Sequence, residues 1–390
     1  MKAIPRLLPA VLLLAGAAVP AAGQTRGGDF ERLDRAIEDG IRRGVYPGAV
    51  VVVGRRDTIL YARGYGHFTW SHRSAVPSAD SSLFDLASLT KVVATTSAIL
   101  LLVDRGRVDL DAPVSRYLTR FHGQGRDAVT VGMLLRHTSG LRSYVPFYRT
   151  AKTRDRVLNL LYSERPVIPS GSAAVYSDLN AMLLGLVVEQ VTGEPLDRFV
   201  AREVFAPLGM TETRFRPPSS LRRRCVPSSI YRGQPVSCVV NDQNAAALGG
   251  VAGHAGLFST AADLARYVRW WLARGRAGDV ALVRPVTMNR FLARSPEGGS
   301  RLLGWDTPGD VSEPPSAYGE QLSEAAFGHT GWTGTQIWLD PARDLFVVFL
   351  TNRSYDPHVS RSLTRIKSVR AAVADAAVAE TAAPCSVALC

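Results

Sequence analysis

The sequence predicts an α+β fold in which an antiparallel sheet is flanked by N- and C-terminal helices and carries an inserted helical lobe. Extended, β-branched runs occur near the start of the chain, at 49–53 and 58–62. Such runs return only late, at 336–339 and 345–351, and helical patterns fill the region between them. We therefore expect one lobe built from both chain ends and a helical lobe at roughly 85–250.

The first 23 residues are predicted to be a secretory signal peptide. Lys2 and Arg6 precede the apolar run 7–19, and the small residues 21–23 form a cleavage pattern. A retained membrane anchor is the weaker alternative, because two prolines interrupt the segment and it is shorter than the roughly 20 residues a span needs. No later stretch is long enough to span a bilayer, so we expect a periplasmic or secreted protein.

The rest of the chain is predicted to be one large domain, 24–380, followed by a C-terminal tail, 381–390. Its first helix is expected at 30–43, where apolar residues recur at helical spacing before a glycine. The stretch 89–103 is almost wholly apolar or small, which indicates a helix buried on all sides. A terminal helix is expected at about 359–379. Four further helical patterns lie at 131–136, 154–162, 180–191 and 263–273.

The net charge of +12 does not by itself indicate a nucleic-acid partner. Only 4 of the 46 basic residues are lysine, which is typical of a general bias toward arginine, and no nucleic-acid motif accompanies the charge. Attraction to anionic cell-envelope polymers stays open. The bias makes Lys91 informative, because arginine cannot give up its proton in a protein whereas a buried lysine can.

The four cysteines, Cys225, Cys238, Cys385 and Cys390, fit an oxidising compartment. The two sequence-near pairs are the simplest of the three possible connectivities, and the sequence leaves the pairing open. Neither pair has a companion histidine cluster at ligand spacing, so we predict structural cysteines and no metal site.

The first candidate for chemistry is the only Ser-x-x-Lys of the chain, Ser88 to Lys91. Residues three apart share a helix face, so the hydroxyl and the ammonium are expected to meet at the start of the buried helix. Free N–H groups there favour an oxyanion. A lysine made neutral by burial could accept the serine proton. Taken alone, such a motif is more often a helix cap.

The second candidate is Tyr176-Ser177-Asp178, directly before an apolar helix. A tyrosine near a cation loses its proton more readily than one in water, so Tyr176 could act as a general base and then as an acid. A buried core tyrosine and an Asp178 helix cap are the structural alternatives.

Two glycine-rich stretches complete the candidates. The segment 327–334 carries His329, Thr330, Gly331 and Trp332, and it could present a strand edge and an amide N–H to an acyl oxygen. A glycine-rich turn is the alternative. The stretch 249–256 lacks a phosphate-binding fingerprint, so we interpret it as close backbone packing or a loop that borders the site.

In this order, Ser-x-x-Lys, Tyr-Ser-Asp and His-Thr-Gly resemble the motifs of the penicillin-recognising serine hydrolases. The resemblance is to the branch of class C β-lactamases, D-Ala-D-Ala carboxypeptidases and esterases. The phrases at 134–141 (LLRHTSGL) and 256–260 (GLFST) add to it. It extends from about residue 30 to residue 353.

This resemblance implies a β-lactamase/transpeptidase-like fold with the active site in a cleft between the two lobes. By motif match Ser88 is the nucleophile, Lys91 lowers its pKa, and Tyr176 shuttles the proton to the leaving group. The backbone N–H groups of Ser88 and Trp332 would form the oxyanion hole. No metal or organic cofactor is implied. The substrate-binding set would be Asp178, His329, Thr330, Gly331 and Trp332.

Two positions depart from the pattern of the family's β-lactamases. Asp178 stands where asparagine is usual, so it accepts hydrogen bonds but does not donate when ionised. His329 stands where lysine is usual and lacks a permanent charge. Both changes weaken the case for efficient β-lactam hydrolysis. His329 also predicts an activity that changes near pH 6.5, the ordinary imidazole pKa being roughly that value.

The predicted function is that of an exported serine hydrolase with a Ser88 acyl-enzyme on amide or ester substrates. The substrate is left open among peptidoglycan-type D-Ala peptides, small esters and β-lactams. From a different class, the chain could be a catalytically idle peptide-binding or regulatory protein of the same fold. The intact set of Ser88, Lys91 and Tyr176 favours the enzyme.

Overall fold

The computed structural model describes residues 30–278, 280–308, 316–355 and 363–382. The predicted signal peptide lies outside these residues, as do Cys385, Cys390 and nearly all of the tail. No helix within the described ranges combines the length and the apolar character needed to cross a bilayer.

The secondary structure of the described residues mixes helices and short strands around one longer sheet. The α-helices are α1 (Glu31–Arg42), α2 (Ser97–Asp104), α3 (Val131–Arg136), α4 (Arg154–Ser163), α5 (Asp178–Thr192), α6 (Leu196–Val200), α7 (Gln243–Ala247), α8 (Ala261–Leu272), α9 (Pro285–Phe291) and α10 (Thr364–Thr381). The strands are β1 (Gly48–Gly54), β2 (Ile59–Gly66), β3 (Phe84–Asp85), β4 (Arg214–Phe215), β5 (Ser229–Tyr231), β6 (Gln234–Val236), β7 (Leu257–Ser259), β8 (Arg276–Ala277), β9 (Val280–Ala281), β10 (Phe327–Thr330), β11 (Gln336–Asp340) and β12 (Leu345–Thr351).

The main sheet has five antiparallel strands in the order β10-β11-β12-β1-β2. Its centre joins the two ends of the chain, because Val51 of β1 lies opposite Phe349 of β12. Helices α1 and α10 pack against each other on one face of this sheet. The predicted α+β fold, with a sheet built from both chain ends and flanked by terminal helices, is therefore confirmed.

Strand β1 is apolar throughout because both of its faces are buried. Val51 and Val53 belong to the core that α1 and α10 cover, whereas Val50 and Val52 belong to the core shared with the helical region. Full burial of each valine stabilises the fold by about 1.5–3 kcal/mol relative to exposure. The strand therefore fixes the sheet against both layers.

The predicted buried helix at 89–103 is present, but its first part is wider than an α-helix. Residues Lys91–Thr96 form a π-helical segment that continues directly into α2, and every residue of the segment is buried. Single π-helical turns are frequently found at functional sites. Here the widened turn begins at Lys91 itself.

Strand β10 is the main element that sequence periodicity does not predict as a strand of its own. A Cβ atom on Gly328 would lie 2.1 Å from Cε3 of Trp338 and 2.3 Å from the carbonyl oxygen of Ile337. Glycine is thus required by the close approach of β11, although it lowers the strand propensity of the segment. Sequence periodicity likewise does not predict the short helices α6, α7 and α9.

A disulfide joins Cys225 to Cys238, with Cα atoms 5.3 Å apart. This is one of the two sequence-near pairs that the sequence suggested as simplest. The bridge closes the loop that carries the hairpin β5–β6. It therefore fixes a segment that borders the cleft described below.

Candidate active site

Ser88 lies on a tight turn between β3 and the π-helical segment. The buried Asp85 holds this turn, because its Oδ1 accepts from the Ala87 backbone N–H (2.9 Å) and its Oδ2 from the Asn241 N–H (2.7 Å). Ala87 adopts a left-handed conformation with φ of +47°. Non-glycine residues adopt this conformation rarely and at a cost in energy, often at functional sites. The turn places Ser88 on the lining of the cleft.

Lys91 is 4% exposed and uses its ammonium to join three groups. Its Nζ donates to Ser88 Oγ (2.9 Å) and to the carbonyl oxygen of His254 (3.1 Å). It also forms an ion pair with Asp178 Oδ1, at 2.7 Å. The structure therefore brings together Ser88, Lys91 and Asp178, and it satisfies all three donors of the ammonium.

The pKa of Lys91 is raised, which corrects the expectation that burial makes this lysine neutral. Burial is the largest influence and lowers the pKa, but the charges and hydrogen bonds of Asp178 and Tyr176 together outweigh it. The sequence argument considered burial and missed the Asp178 counter-charge. A protonated Lys91 that donates to Ser88 Oγ would stabilise an alkoxide there, since a hydrogen bond to the charged form lowers a pKa.

Tyr176 lies between two cations at the edge of this group. Lys91 Nζ is 5.1 Å from the centroid of its ring, and Arg301 Cζ is 5.2 Å from the same centroid. The structure therefore brings Tyr176 beside Lys91, which itself contacts Ser88. The role of Tyr176 as proton acceptor remains a prediction.

The turn after β10 packs directly on the turn that carries the serine. A Cβ atom on Gly331 would lie 2.5 Å from the carbonyl oxygen of Leu86, so only glycine allows this approach. The Thr333 hydroxyl donates to the carbonyl oxygen of Asp85 at 2.7 Å. These contacts bring Trp332, which also lines the cleft, to the vicinity of the turn that carries Ser88.

The predicted oxyanion donors are unengaged. Within the described chain, the backbone N–H groups of Ser88 and Trp332 donate to no protein acceptor. Neighbouring carbonyls are fixed, because the Arg370 guanidinium donates to Gly331 O (2.6 Å) and Arg353 donates to Trp332 O (3.0 Å). Two free amides close to the serine are what an oxyanion hole requires, and this role remains a prediction.

His329 is buried in β10 and does not supply the titration that the sequence predicted. Burial lowers its pKa well below 6.5, and the positive charges of Arg301 and Lys91 lower it further. Its Nδ1–H donates to the carbonyl oxygen of Thr330 at 2.8 Å, and its Nε2 has no partner among the described residues. His329 therefore stays neutral, and its Nε2 is an acceptor without a partner among the described residues.

A different acid, Asp85, is expected to give the pH dependence. Burial raises its pKa to about 6, although the backbone N–H groups of Asn241 and Ala87 oppose this. Protonation below that pH weakens the hydrogen bonds that hold the serine turn, so kcat/KM should fall as the pH drops below 6. Stability should show the opposite trend. The folded state binds the Asp85 proton more tightly than the unfolded chain, whose pKa is about 4, so the free energy of unfolding should decrease as the pH rises from about 4 to about 6.

Two variants distinguish Asp85 from His329 as the group responsible for the pH dependence. His329→Gln should keep the acid limb of the rate profile, whereas Asp85→Asn, a permanently uncharged side chain, should be less active and flat from pH 5 to 8. An acid limb that disappears in His329→Gln and persists in Asp85→Asn would contradict the assignment to Asp85.

The structure adds His254 and Asp242, which sequence reasoning did not single out. His254 Nε2 is 2.9 Å from Asp242 Oδ1. Burial raises the pKa of Asp242, but the charge and hydrogen bond of His254 outweigh it and hold that pKa at about 2. Both interpretations of the stretch 249–256 apply: a Cβ on Gly253 would meet Ala181 O at 2.0 Å, which shows close backbone packing, and His254 and Ala255 line the cleft.

His137 is a second residue that the sequence marked only within the phrase 134–141. It ends α3 in a left-handed conformation, and its Nδ1 accepts from the Ser177 backbone N–H at 3.0 Å. Burial lowers its pKa, so the acceptor nitrogen stays unprotonated. Its ring lies 4.7 Å from that of Tyr176, which it helps to position.

Potential metal ligands also converge here, although the sequence predicted no metal site. Ligand atoms of Asp178, Asp242 and His254 lie within 4.8 Å of one another. The Lys91 ammonium already neutralises Asp178 at 2.7 Å, and His254 already pairs with Asp242. A divalent cation bound to Asp178 would have to displace Lys91, which also contacts Ser88 Oγ.

These residues line a cleft of about 1610 Å³ that carries charged side chains of both signs. We call Tyr144, Tyr148, Asp178 and Asp242 the acidic wall, because Tyr144 lies within the electrostatic influence of the other three. The cations that line the cleft are Arg301, Lys367 and Arg370. A substrate in the cleft therefore meets both hydrogen-bond acceptors and cations.

Asp178→Asn tests the electrostatic coupling between Asp178 and Lys91. Burial would lower the Lys91 pKa with much less opposition, so the alkaline limb of the kcat/KM profile should move down by about 1–3 pH units. Asp104→Asn is the matched control, because it removes a carboxylate paired with Arg284 that does not line the cleft. An alkaline limb unchanged in Asp178→Asn would show that Asp178 does not hold the Lys91 proton.

Comparisons with known proteins agree with this architecture. A family model described as Beta-lactamase matches residues 33–371. The "N-acetylmuramyl-L-alanine amidase" of Bacillus subtilis (strain 168) is 34% identical over 362 residues, covering 84% of this chain and 82% of the relative. The Escherichia coli (strain K12) protein named "Putative D-alanyl-D-alanine carboxypeptidase" is 30% identical, covering 84% and 83%.

Solved structures share the fold at lower sequence identity. A penicillin-binding protein homolog from Caulobacter crescentus superposes with a TM-score of 0.68 and 23% identity, covering 90% of this chain and 98% of that one. EstCE1, described as a hydrolase with promiscuous acyltransferase activity, gives a TM-score of 0.70 and 22% identity, covering 88% and 97%.

Proposed function

This chain belongs to the Beta-lactamase family, and from that premise we propose that it is an exported serine hydrolase that cleaves amide bonds of cell-wall peptides through a Ser88 acyl-enzyme. The observation that carries the proposal is the junction of Ser88 Oγ, Lys91 Nζ and Asp178 beside Tyr176. A structural cap would not need a buried, fully engaged lysine.

Acylation begins when Tyr176, acting in its phenolate form, accepts the Ser88 proton, while the Lys91 ammonium stabilises the developing alkoxide. Ser88 Oγ attacks the amide carbonyl carbon, and the oxyanion accepts hydrogen bonds from the backbone N–H groups of Ser88 and Trp332. Tyr176 then gives the proton to the leaving amine as the carbon–nitrogen bond breaks. Water deprotonated by Tyr176 hydrolyses the ester, and the proton returns to Ser88.

The similar proteins favour peptide amides over β-lactams. The neutral, buried His329 does not distinguish these substrates, because β-lactams and alanine peptides both carry a carboxylate. The relatives that match most of the chain are named for amide bonds to alanine, N-acetylmuramyl-L-alanine and D-alanyl-D-alanine. Export is supported by the signal-like first 23 residues and by the Cys225–Cys238 disulfide.

Release of alanine from defined substrates tests the proposal. Purified protein is incubated with N-acetylmuramyl-L-alanine and with a peptide ending in D-alanyl-D-alanine, and free alanine is measured over time. Wild type should release alanine from at least one substrate and hydrolyse a chromogenic cephalosporin more slowly. Folded Ser88→Ala should release none. Equal release by Ser88→Ala would contradict the mechanism, and a folded wild type that cleaves neither would favour the idle binding protein.

A further inference from the structure

The acidic wall is rigid before any ligand binds. The Asp178 backbone N–H donates to Ser143 O at 2.9 Å, which ties the start of α5 to the segment that carries Tyr144. Asn244 of α7 then holds the same segment further along, because its Nδ2 donates to Val145 O (2.8 Å) and its Oδ1 accepts from Tyr148 N (3.1 Å). Both tyrosines are therefore fixed to the elements that carry the two carboxylates.

Tyr144 lies within the electrostatic influence of both carboxylates. It is 44% exposed and lines the cleft, so part of its surface is available for contact. Burial of the hydroxyl raises its pKa to about 12, with further contributions from the charges of Asp242, Tyr148 and Asp178. Tyr144 thus combines an open aromatic surface with a protonated hydroxyl within the field of both acids.

Each carboxylate keeps one acceptor oxygen for a ligand. Asp178 Oδ1 pairs with Lys91, and Asp242 Oδ1 accepts from the Ala245 N–H (2.7 Å) and from His254 (2.9 Å). Within the described part of the chain, the Oδ2 atoms of Asp178 and Asp242 have no partner. Because ionised carboxylates only accept, the wall calls for a ligand rich in donors.

Both carboxylates of the wall already have a partner. Lys91 Nζ pairs with Asp178, and His254 Nε2 lies 2.9 Å from Asp242 Oδ1, so neither carboxylate calls for an additional ammonium group. Hydroxyl and amide N–H groups can use the two free oxygens without a further charge. A saccharide ring supplies such donors together with C–H faces that pack on an exposed tyrosine.

The distance to the nucleophile limits where that ring can be attached. Asp178 lies 2.7 Å from Lys91 Nζ, which lies 2.9 Å from Ser88 Oγ. A group bound to Asp178 is therefore next to the scissile bond and not several residues away from it. In N-acetylmuramyl-L-alanine the sugar carries the acid that forms the amide, whereas a D-alanyl-D-alanine bond has no sugar beside it.

We propose that the acidic wall, Tyr144, Tyr148, Asp178 and Asp242, is a saccharide subsite, so that the substrate amide joins a sugar-borne acid to an amino acid. This inference rests on the proposed function for its choice of bond. The binding of the sugar itself does not depend on turnover.

Two matched ligands test the subsite: N-acetylmuramyl-L-alanine, and D-lactyl-L-alanine, which has the same amide linkage without the sugar ring. Both are titrated calorimetrically into the full-length Ser88→Ala protein, and kcat/KM is measured for both with wild type. The sugar should improve Kd and kcat/KM by at least tenfold. In Tyr144→Ala this preference should fall at least fivefold, mainly through Kd and KM.

Tyr231→Ala is the matched control, because Tyr231 also lines the cleft and is 64% exposed but lies at the β5–β6 hairpin, outside the acidic wall. Tyr231→Ala should keep the full preference for N-acetylmuramyl-L-alanine over D-lactyl-L-alanine. Equal Kd values for the two ligands, or tighter binding of D-alanine amide with its free ammonium, would overturn the subsite. Binding that prefers the sugar without any turnover would support the subsite while contradicting the proposed hydrolase.

Discussion

Lys91→Arg is expected to lower kcat/KM for a nitrophenyl acyl ester by about 10³-fold or more, although it preserves the positive charge. The Lys91 ammonium occupies a site that is 4% exposed, where three acceptors lie 2.7, 2.9 and 3.1 Å from one nitrogen. A planar guanidinium is larger and cannot direct three donors from a single atom. Arginine would therefore displace either Ser88 Oγ or Asp178.

Lys152→Arg is the matched control for Lys91→Arg. Lys152 is exposed, and its ammonium donates to the Tyr148 carbonyl oxygen, a contact that arginine can also make. Its substitution should change kcat/KM by less than about twofold and leave the free energy of unfolding within about 0.5 kcal/mol. Lys91→Arg retaining more than a tenth of wild-type activity would show that the precise position of the ammonium is not required.

Tyr176→Phe is the second change with a large expected effect, a loss of about 10²–10⁴ in kcat/KM. It removes only the hydroxyl, so the contact of the ring with Lys91 and Arg301 is retained. Ser88 keeps its hydrogen bond with Lys91, but no group is left to accept the Ser88 proton or to protonate the leaving amine. Amide substrates should lose more activity than nitrophenyl esters, because only the amine needs a proton in order to leave.

Tyr162→Phe controls for the general effect of removing a phenol beside a cation. Arg120 lies 4.5 Å from the centroid of the Tyr162 ring, and Tyr162 does not line the cleft. Its activity should equal that of wild type. Similar losses for ester and amide substrates in Tyr176→Phe would indicate a role in binding and not in proton transfer.

The sheet could be predicted from sequence because its central strands are continuous apolar runs. Strands β1 and β12 are buried on both faces, so every position in them favours β-branched or aromatic residues. Strand β10 was not predicted as a separate strand because it contains residues that do not favour strand formation and that are explained by packing and by the candidate site. Gly328 permits close packing against β11, and His329 lies in the candidate site.

The three residues proposed for chemistry could be predicted because they follow a fixed order and spacing along the chain. The electrostatics could not, because it depends on contacts between segments far apart in sequence. Asp178 reverses the effect of burial on Lys91 from 87 residues away. The carbonyl oxygen of His254 likewise reaches Lys91 Nζ across a sequence separation of 163 residues.

A covalent adduct on Ser88 is the most direct test of the proposed mechanism. Full-length protein is treated with a fluorophosphonate, and the modified residue is identified by intact mass and peptide sequencing. The mechanism predicts one equivalent of label on the peptide that contains Ser88, none in folded Ser88→Ala, and undiminished labelling in His329→Gln. Label on another residue, or equal labelling of Ser88→Ala, would contradict it.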